Sequence, residues 1–128
     1  MIVISALDGT DLHADENAVI LVAGAGGAGT HTMVHGIDRG AAATEEEAAA
    51  LVARMAVNPP LARLTRPDMT PVWIKGSAVT AIRPPLATER QTATNAVVIL
   101  GGLYGLQQAV HEGVAAAEQI LNAHGANV

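Results

Sequence analysis

Residues 18–30 read Ala18-Val-Ile-Leu-Val-Ala-Gly24-Ala-Gly26-Gly27-Ala-Gly29-Thr30, and this stretch decides between two folds. Its apolar, partly β-branched first half predicts a strand. The loop that follows matches G-x-G-x-x-G, a spacing that lets backbone amides approach a pyrophosphate at the start of a helix. The same loop can also be a plain connection between two strands. The elements on either side of it separate the two interpretations.

The composition indicates a small globular protein. The 128 residues suffice for one compact domain, or for two very small modules that share a core. Half of the residues are hydrophobic, but there is no Phe, one Trp and one Tyr, so the core is built from small aliphatic side chains. Without Cys there is neither a disulfide framework nor thiolate chemistry. No leader pattern and no run of membrane-spanning length is present, so we expect a cytoplasmic protein without a membrane partner.

The charge is distributed unevenly between the two halves of the chain. Residues 1–60 carry two arginines and eight carboxylates, a net charge of −6, whereas residues 61–128 carry five basic and four acidic side chains, a net charge of +1. An acidic half and a slightly basic half can dock on one another or on a second copy. Nucleic acid is not an expected partner, because phosphate contacts need a basic surface and single strands need stacking aromatics.

The first half predicts several strands followed by one helix. Asp8-Gly9 is a strong hairpin signal, and the predicted strands cover residues 2–7, 10–14, 18–23 and 30–35. Thr44-Glu45-Glu46-Glu47 has the form of a capping box, in which Thr44 and Glu47 satisfy each other's amides. The helix behind it has an apolar stripe at helical spacing, formed by Ala48, Leu51, Val52 and Met55. Asn58-Pro59-Pro60 ends it.

The second half repeats this order of elements. A shift of 60 residues places Asp8 on Asp68 and Ala18 on Ala78, with the apolar alternation in phase. The predicted strands of the second half are residues 62–66, 71–74, 78–83, 95–100 and 103–106. A closing helix is predicted from a stripe of Val110, Val114, Ala117 and Leu121, and it stops at a glycine, Gly125. We therefore expect a duplication, with repeats at residues 1–58 and 61–125.

The duplication favours the plain connection for the glycine loop. Its counterpart, residues 84–92, has no resemblance to a phosphate cradle, and both loops join two predicted strands. A dinucleotide site needs a strand, the loop and then a helix. A phosphate contact at the amides of Gly26 and Gly27 stays open if a neighbouring subunit covers them.

The candidate chemical residues are few. His31 and His35 lie four residues apart, but no third ligand follows at fixed spacing, so edge-strand histidines explain them better than a metal site. Ser5 and Ser77 lack a G-x-S-x-G setting. We expect no catalytic residue, no metal and no cofactor.

A cluster of basic side chains gives the remaining candidate site. Arg63 and Trp73 come from neighbouring predicted strands, and Arg83 ends the next one. If they gather on the open face of the sheet, they can hold a planar anion by ion pairing and stacking. The alternative is an ordinary exposed face with one amphipathic tryptophan.

The second half contains a series of short motifs: Leu61-x-Arg63-Leu64, Val72-Trp-Ile74, Val79-x-x-Ile82-x-Pro84, Asn95-x-Val97-Val98-x-Leu100-x-Gly102 and Val110-x-Glu112. In this pattern it resembles the short FlbD-type domain of flagellar operons. It covers residues 61–122 and, more faintly, 2–55. It departs from that pattern in the long loop at 84–94 and in the apolar residues after Gly102. The resemblance implies a small antiparallel sheet with one helix and a non-enzymatic binding role, as in phage accessory proteins.

The sequence therefore predicts an α+β protein of two tandem antiparallel β-sheet-plus-helix repeats (ββββα-like) packed into one unit. The favoured function is that of a non-enzymatic, phage-type or regulatory accessory protein that contacts copies of itself or another protein, including a structural role in a virion. The alternative is a binding protein that sequesters a small anionic, nucleotide-like molecule. Its candidate site residues are Arg63, Trp73, Arg83, Gly26 and Gly27.

Overall fold

The computed structural model describes residues 1–24, 31–37, 41–101 and 105–128. Short strands and a few helices alternate along these ranges. The strands are β1 (Ile2–Ser5), β2 (Asp11–Ala14), β3 (Leu21–Gly24), β4 (Thr32–His35), β5 (Ala41–Thr44), β6 (Ala62–Thr65), β7 (Pro71–Ile74), β8 (Val79–Arg83), β9 (Ala96–Leu100) and β10 (Gln107–Val110). The helices are α1 (Ala48–Arg54), α2 (Ala87–Arg90) and α3 (Val114–Ala123), and single 3₁₀ turns at Glu16–Ala18 and Gly76–Ala78 precede β3 and β8.

A five-stranded antiparallel sheet at the centre takes strands from both halves of the chain. Its order is β5-β4-β3-β7-β6. The two halves meet where β3 pairs with β7, with Leu21 opposite Ile74, Val22 opposite Trp73 and Ala23 opposite Val72. The ranges predicted as separate repeats therefore share one sheet.

Two smaller sheets complete the antiparallel pairing within the described ranges. β1 and β2 form a hairpin, and β10, β9 and β8 form a three-stranded sheet in that order. A single bridge between Ala6 and Thr44 links the first hairpin to the edge of the central sheet. The combination of antiparallel sheets with helices agrees with the predicted α+β class.

Each face of the central sheet covers its own apolar cluster, because side chains alternate between the faces of a strand. One cluster gathers β1, β2 and α1 around the sheet and includes Ile4, Val22, Val34, Leu51 and Trp73. The other gathers β8, β9, β10 and α3 on the opposite face and includes Leu21, Leu64, Val72, Val98 and Leu121. Small side chains thus form a core by burying a sheet on both sides.

The hairpins β1–β2 and β6–β7 have the same geometry 60 residues apart. Ile2 pairs with Ala14 in the first, and Ala62 pairs with Ile74 in the second. In both turns an aspartate, Asp8 or Asp68, accepts hydrogen bonds from the amide and hydroxyl of the threonine two residues on. The residue between them has positive φ in both, 87° at Gly9 and 70° at Met69.

Several predicted boundaries were wrong. Thr44 ends β5 instead of starting a helix; its hydroxyl accepts a hydrogen bond from the Glu46 amide at 3.2 Å, and Glu47 is the N-cap without a side-chain bond. Among the described residues the last strand is Gln107–Val110, which removes Val110 from the helical stripe. The strand predicted at 103–106 lies partly outside the described residues, and Gly105 and Leu106 are not in a strand. The sequence also missed β5 and the short helix α2.

Candidate functional site

Arg63 and Trp73 are brought together as predicted, but not on an open face. They are a directly opposed pair in the register of β6 and β7. Trp73 is only 8% exposed and belongs to the cluster beneath β1, β2 and α1, whereas Arg63 is exposed on the edge strand. The indole therefore contributes mainly to packing between the two halves.

Arg83 lies apart from this pair, in the three-stranded sheet. Its guanidinium binds the Glu89 carboxylate through two hydrogen bonds of 2.8 and 3.1 Å, and Glu89 also accepts from the Leu86 amide at 2.6 Å. The hydrogen bonds from Arg83, and then that from Leu86, lower the pKa of Glu89 to about 2. The charge of Arg83 is thus engaged in anchoring α2.

Gly26 and Gly27 lie outside the described residues. The strands that flank them are described, and β3 pairs antiparallel with β4, with Gly24 opposite Thr32. A strand follows the loop where a dinucleotide site would place a helix. The described residues on both sides of the loop are thus strands, as predicted, and the phosphate contact predicted at Gly26 and Gly27 falls on residues outside the described ranges.

A cavity of about 470 Å³ lies where the ends of β3 and β4 approach the start of α1. Trp73 and Pro71 form its apolar side, and Gly24 and His31 lie at the side of the glycine loop. Glu45, Glu46 and Glu47 also line it, whereas Arg63 and Arg83 do not. Of the predicted ligand residues in the described ranges, only Trp73 reaches the cavity.

The electrostatics of this cavity oppose an anion. Glu46 is bound by Arg54 through hydrogen bonds of 2.7 and 2.8 Å, and Arg54 also donates to the Val3 carbonyl at 2.9 Å. Among the described residues, no salt bridge joins Glu45 or Glu47 to a cation. A tryptophan and two such glutamates among the lining residues favour a cationic ligand over an anionic one.

The other candidate residues are scattered. His31 lines the cavity, while His35 sits between Leu21 and Ala41 across the central sheet, where partial burial lowers its pKa. No group of three or more metal-ligating side chains occurs among the described residues. Ser5 and Ser77 are both exposed, and no hydrogen bond to a base was found for either in the same ranges.

Several strands have one unpaired edge in the described part of the chain, and two of them, β8 and β2, occupy the positions that correspond to β3 and β7 at the junction of the halves. β8 pairs only with β9, and β2 pairs only with β1. Ile82 on β8 and Leu12 on β2 are half-buried at the rims of the two clusters. Unpaired strand edges present a row of donors and acceptors to another chain.

Strand pairing is not a local property, so these edges could not be recognised from the sequence. A signal was nevertheless present: the hairpin signals recur at Asp8 and Asp68, so each half has a second strand that needs a neighbour. Among the described strands, only β7 of these two has a second neighbour.

No helix of the described ranges is both long enough and apolar enough to cross a membrane. Comparison of the chain with protein-family models, with curated proteins and with solved structures found no match.

Proposed function

We propose that this protein is a non-enzymatic accessory protein of the phage or regulatory type, which acts through protein–protein contacts as a homo-oligomer. A structural role in a virion is one form of this function. The observation that carries the proposal is the pairing of β3 with β7. This pairing joins a strand edge of the first half to a strand edge of the second half. The corresponding edges are that of β8, the counterpart of β3, and that of β2, the counterpart of β7, and both are unpaired among the described strands.

A tandem duplication underlies this proposal. In the described ranges each half has two strands as a hairpin, a 3₁₀ turn, three further strands and a closing helix. Both hairpins have the same register and the same Asp-x-Thr turn. Two copies of one module that join through a sheet edge favour further joining by the same edge, because symmetric assemblies reuse one interface.

The charge distribution supports association between unlike halves. The first half, with a net charge of −6, holds the β2 edge, and the second half, with a net charge of +1, holds the β8 edge. Opposite charge on two docking surfaces accelerates encounter and disfavours pairing of like with like.

Native mass spectrometry of the untagged protein over a range of concentrations tests this function. We expect a defined multimer whose subunits carry no small molecule. A monomer at every concentration would overturn the proposal. Size-exclusion chromatography with light scattering on the same samples checks that ionisation has not dissociated the multimer.

The second candidate is a small-ligand binding protein, and the cavity beside Trp73 favours it. The carboxylates of the cavity suit a cationic molecule rather than the anionic, nucleotide-like one suggested by Arg63 and Arg83. Thermal unfolding with excess AMP and with excess agmatine separates the two ligand classes, because a ligand that binds the native state raises Tm. Stabilisation by AMP that is lost in Arg83→Ala would support the anionic class, and stabilisation by agmatine that is lost in Trp73→Ala would support the cationic class.

A further inference from the structure

The junction of the two halves provides a template for a contact between copies. Trp73 and Val22 are paired, and the Lys75 amide donates to the Ile20 carbonyl at 2.9 Å, which continues the same ladder. At this junction Val22 and Val72 are 0% exposed. The junction is thus a dry, regular pairing of two strand edges.

The corresponding positions of the unpaired edges follow from the 60-residue offset of the hairpins and 3₁₀ turns. β8 corresponds to β3, and β2 corresponds to β7. The register of β3 with β7 then predicts Ile82 opposite His13, flanked by the pairs Ala81–Ala14 and Arg83–Leu12. Ile82 and Leu12, the counterparts of the fully buried Val22 and Val72, are only half-buried in a single copy.

The β2 edge directs the required backbone groups outward. The Ala6 amide donates to the Thr10 carbonyl within the hairpin, so the even-numbered residues of β2 bond to β1. Bonding alternates along an antiparallel pair. The amide and carbonyl of His13 therefore point away from β1, as those of Trp73 do in the second half.

The β8 edge directs the complementary backbone groups outward. The Leu100 amide donates to the Leu106 carbonyl, so the even-numbered residues of β9 bond to β10 and the odd-numbered ones bond to β8. Ala81 and Arg83, which lie opposite Ile99 and Val97, use their amides there. Ile82 is left with outward amide and carbonyl groups, in phase with His13.

We infer that the β8 edge of one copy binds the β2 edge of a second copy in this register, forming between chains the junction that β3 and β7 form within one. The inference rests on the proposed homo-oligomer and names its interface. Because the contact joins two different edges, it is head-to-tail. Repetition of a head-to-tail contact closes a ring or extends a filament.

Cysteine cross-linking tests the register directly, because the chain has no cysteine of its own. Ala14→Cys and Ala81→Cys each introduce one thiol, at positions predicted to form a non-hydrogen-bonded pair with Cα atoms about 4.5 Å apart. That spacing suits a disulfide. A mixture of the two variants under mild oxidation is expected to give a 14–81 disulfide, and neither variant alone is expected to give its homodimer. Leu12→Cys with Arg83→Cys is a second pair if the first impairs folding.

An internal control shows what a correct register yields. Ala23 and Val72 occupy the place in the existing junction that corresponds to the second pair, Arg83 and Leu12. The double variant Ala23→Cys/Val72→Cys should form its disulfide within one chain. An off-register mixture of Leu12→Cys with Ala81→Cys should remain reduced under the same conditions.

A proline on the β2 edge tests the backbone contribution. His13→Pro removes an N–H that bonds nothing in the hairpin, and Pro71 already occupies an outward position of β7 opposite Thr65. The variant should keep the far-ultraviolet circular dichroism of the wild type but sediment as a monomer. His13→Ala retains the N–H and should remain assembled.

The outcomes distinguish this interface from oligomerisation in general. A multimer without the 14–81 and 12–83 disulfides, unaffected by His13→Pro, would overturn the strand pairing and leave the homo-oligomer standing. A wild-type monomer at all concentrations would overturn both.

Discussion

Trp73 of β7 lies directly opposite Val22 of β3, so the single tryptophan of the chain marks the junction of its two halves. Its side chain packs in the cluster under α1, although β7 is part of the second hairpin. The fluorescence of Trp73 therefore reports on the integrity of the junction.

Core truncation in either half should unfold the whole protein cooperatively. Leu51 and Leu121 are fully buried in the two different clusters, and each Leu→Ala change should lower the free energy of unfolding by about 2–5 kcal/mol. Because the central sheet belongs to both clusters, Trp73 fluorescence and circular dichroism should give coincident urea transitions in both variants. Leu86→Ala, at a side chain 62% exposed, is the control and should change little. Two separated transitions in the wild type would contradict a shared sheet.

The two hairpin turns allow a reciprocal test of backbone strain. Met69 adopts a φ of 70° with its side chain 64% exposed, and Gly9 adopts 87° in the equivalent turn. Positive φ costs an L-residue about 1–2 kcal/mol. Met69→Gly should therefore raise the Tm, and Gly9→Met should lower it, as measured by scanning calorimetry. A loss of stability in both variants would show that the turn conformations differ in solution.

Gly76 should not tolerate a side chain. A Cβ at this position would lie 2.4 Å from the His124 carbonyl oxygen and 2.8 Å from its carbon, both of them backbone atoms. Gly76→Ala should lower the free energy of unfolding by about 1–3 kcal/mol, as expected for overpacking. Gly113→Ala is the matched control, since a Cβ there has no atom within 4 Å, and urea unfolding of the two variants provides the comparison.

The Arg83–Glu89 pair should make stability depend on pH in the acid range. The pKa of Glu89 falls from an ordinary value of 4.5 to about 2, so the unfolded chain binds the proton more readily than the native one does. The pair therefore stabilises the native state above pH 4.5, and this contribution is lost as the pH falls through 2. The Tm difference between wild type and Glu89→Gln should shrink over that interval.

A double-mutant cycle assigns this pH dependence to the pair. Arg83→Gln removes the partner and should reduce the same pH dependence, and the double variant Arg83→Gln/Glu89→Gln should show little beyond either single change. Equal pH profiles for wild type and Glu89→Gln would show that the ion pair does not form in solution.

Local patterns predicted much of the secondary structure. Alternation located the strands at Ile2, Asp11 and Ala62, and the apolar stripe with the prolines after it located α1. These signals work because each depends on neighbours in the sequence. β5 was missed because Ala41, Ala42 and Ala43 carry no strand preference, and pairing with β4 determines their conformation. Thr44 was predicted to be a helix cap because of the glutamates that follow it in the sequence. Its backbone instead pairs with Thr32 and completes the pairing of β4 with β5.

The pairing of β3 with β7 could not be predicted from local patterns. Trp73 was expected on the open face of the sheet beside Arg63 of the neighbouring strand, yet it fills a cluster formed by the other half. Arg83 resembled a free cation until α2, itself unpredicted, supplied Glu89. The cavity was missed because β3, β4 and α1 form it together from residues distant in the sequence.

The position of β7 in the central sheet also bears on how the chain folds as it leaves the ribosome. β3, β4, β5 and α1 all emerge before residue 71, so the apolar edge of β3 is complete while its partner is still being synthesised. Non-local pairing delays the gain of contact energy that offsets loop closure. An unpaired edge is also a place where a nascent chain aggregates. Successful synthesis thus depends on the prompt emergence of the second hairpin.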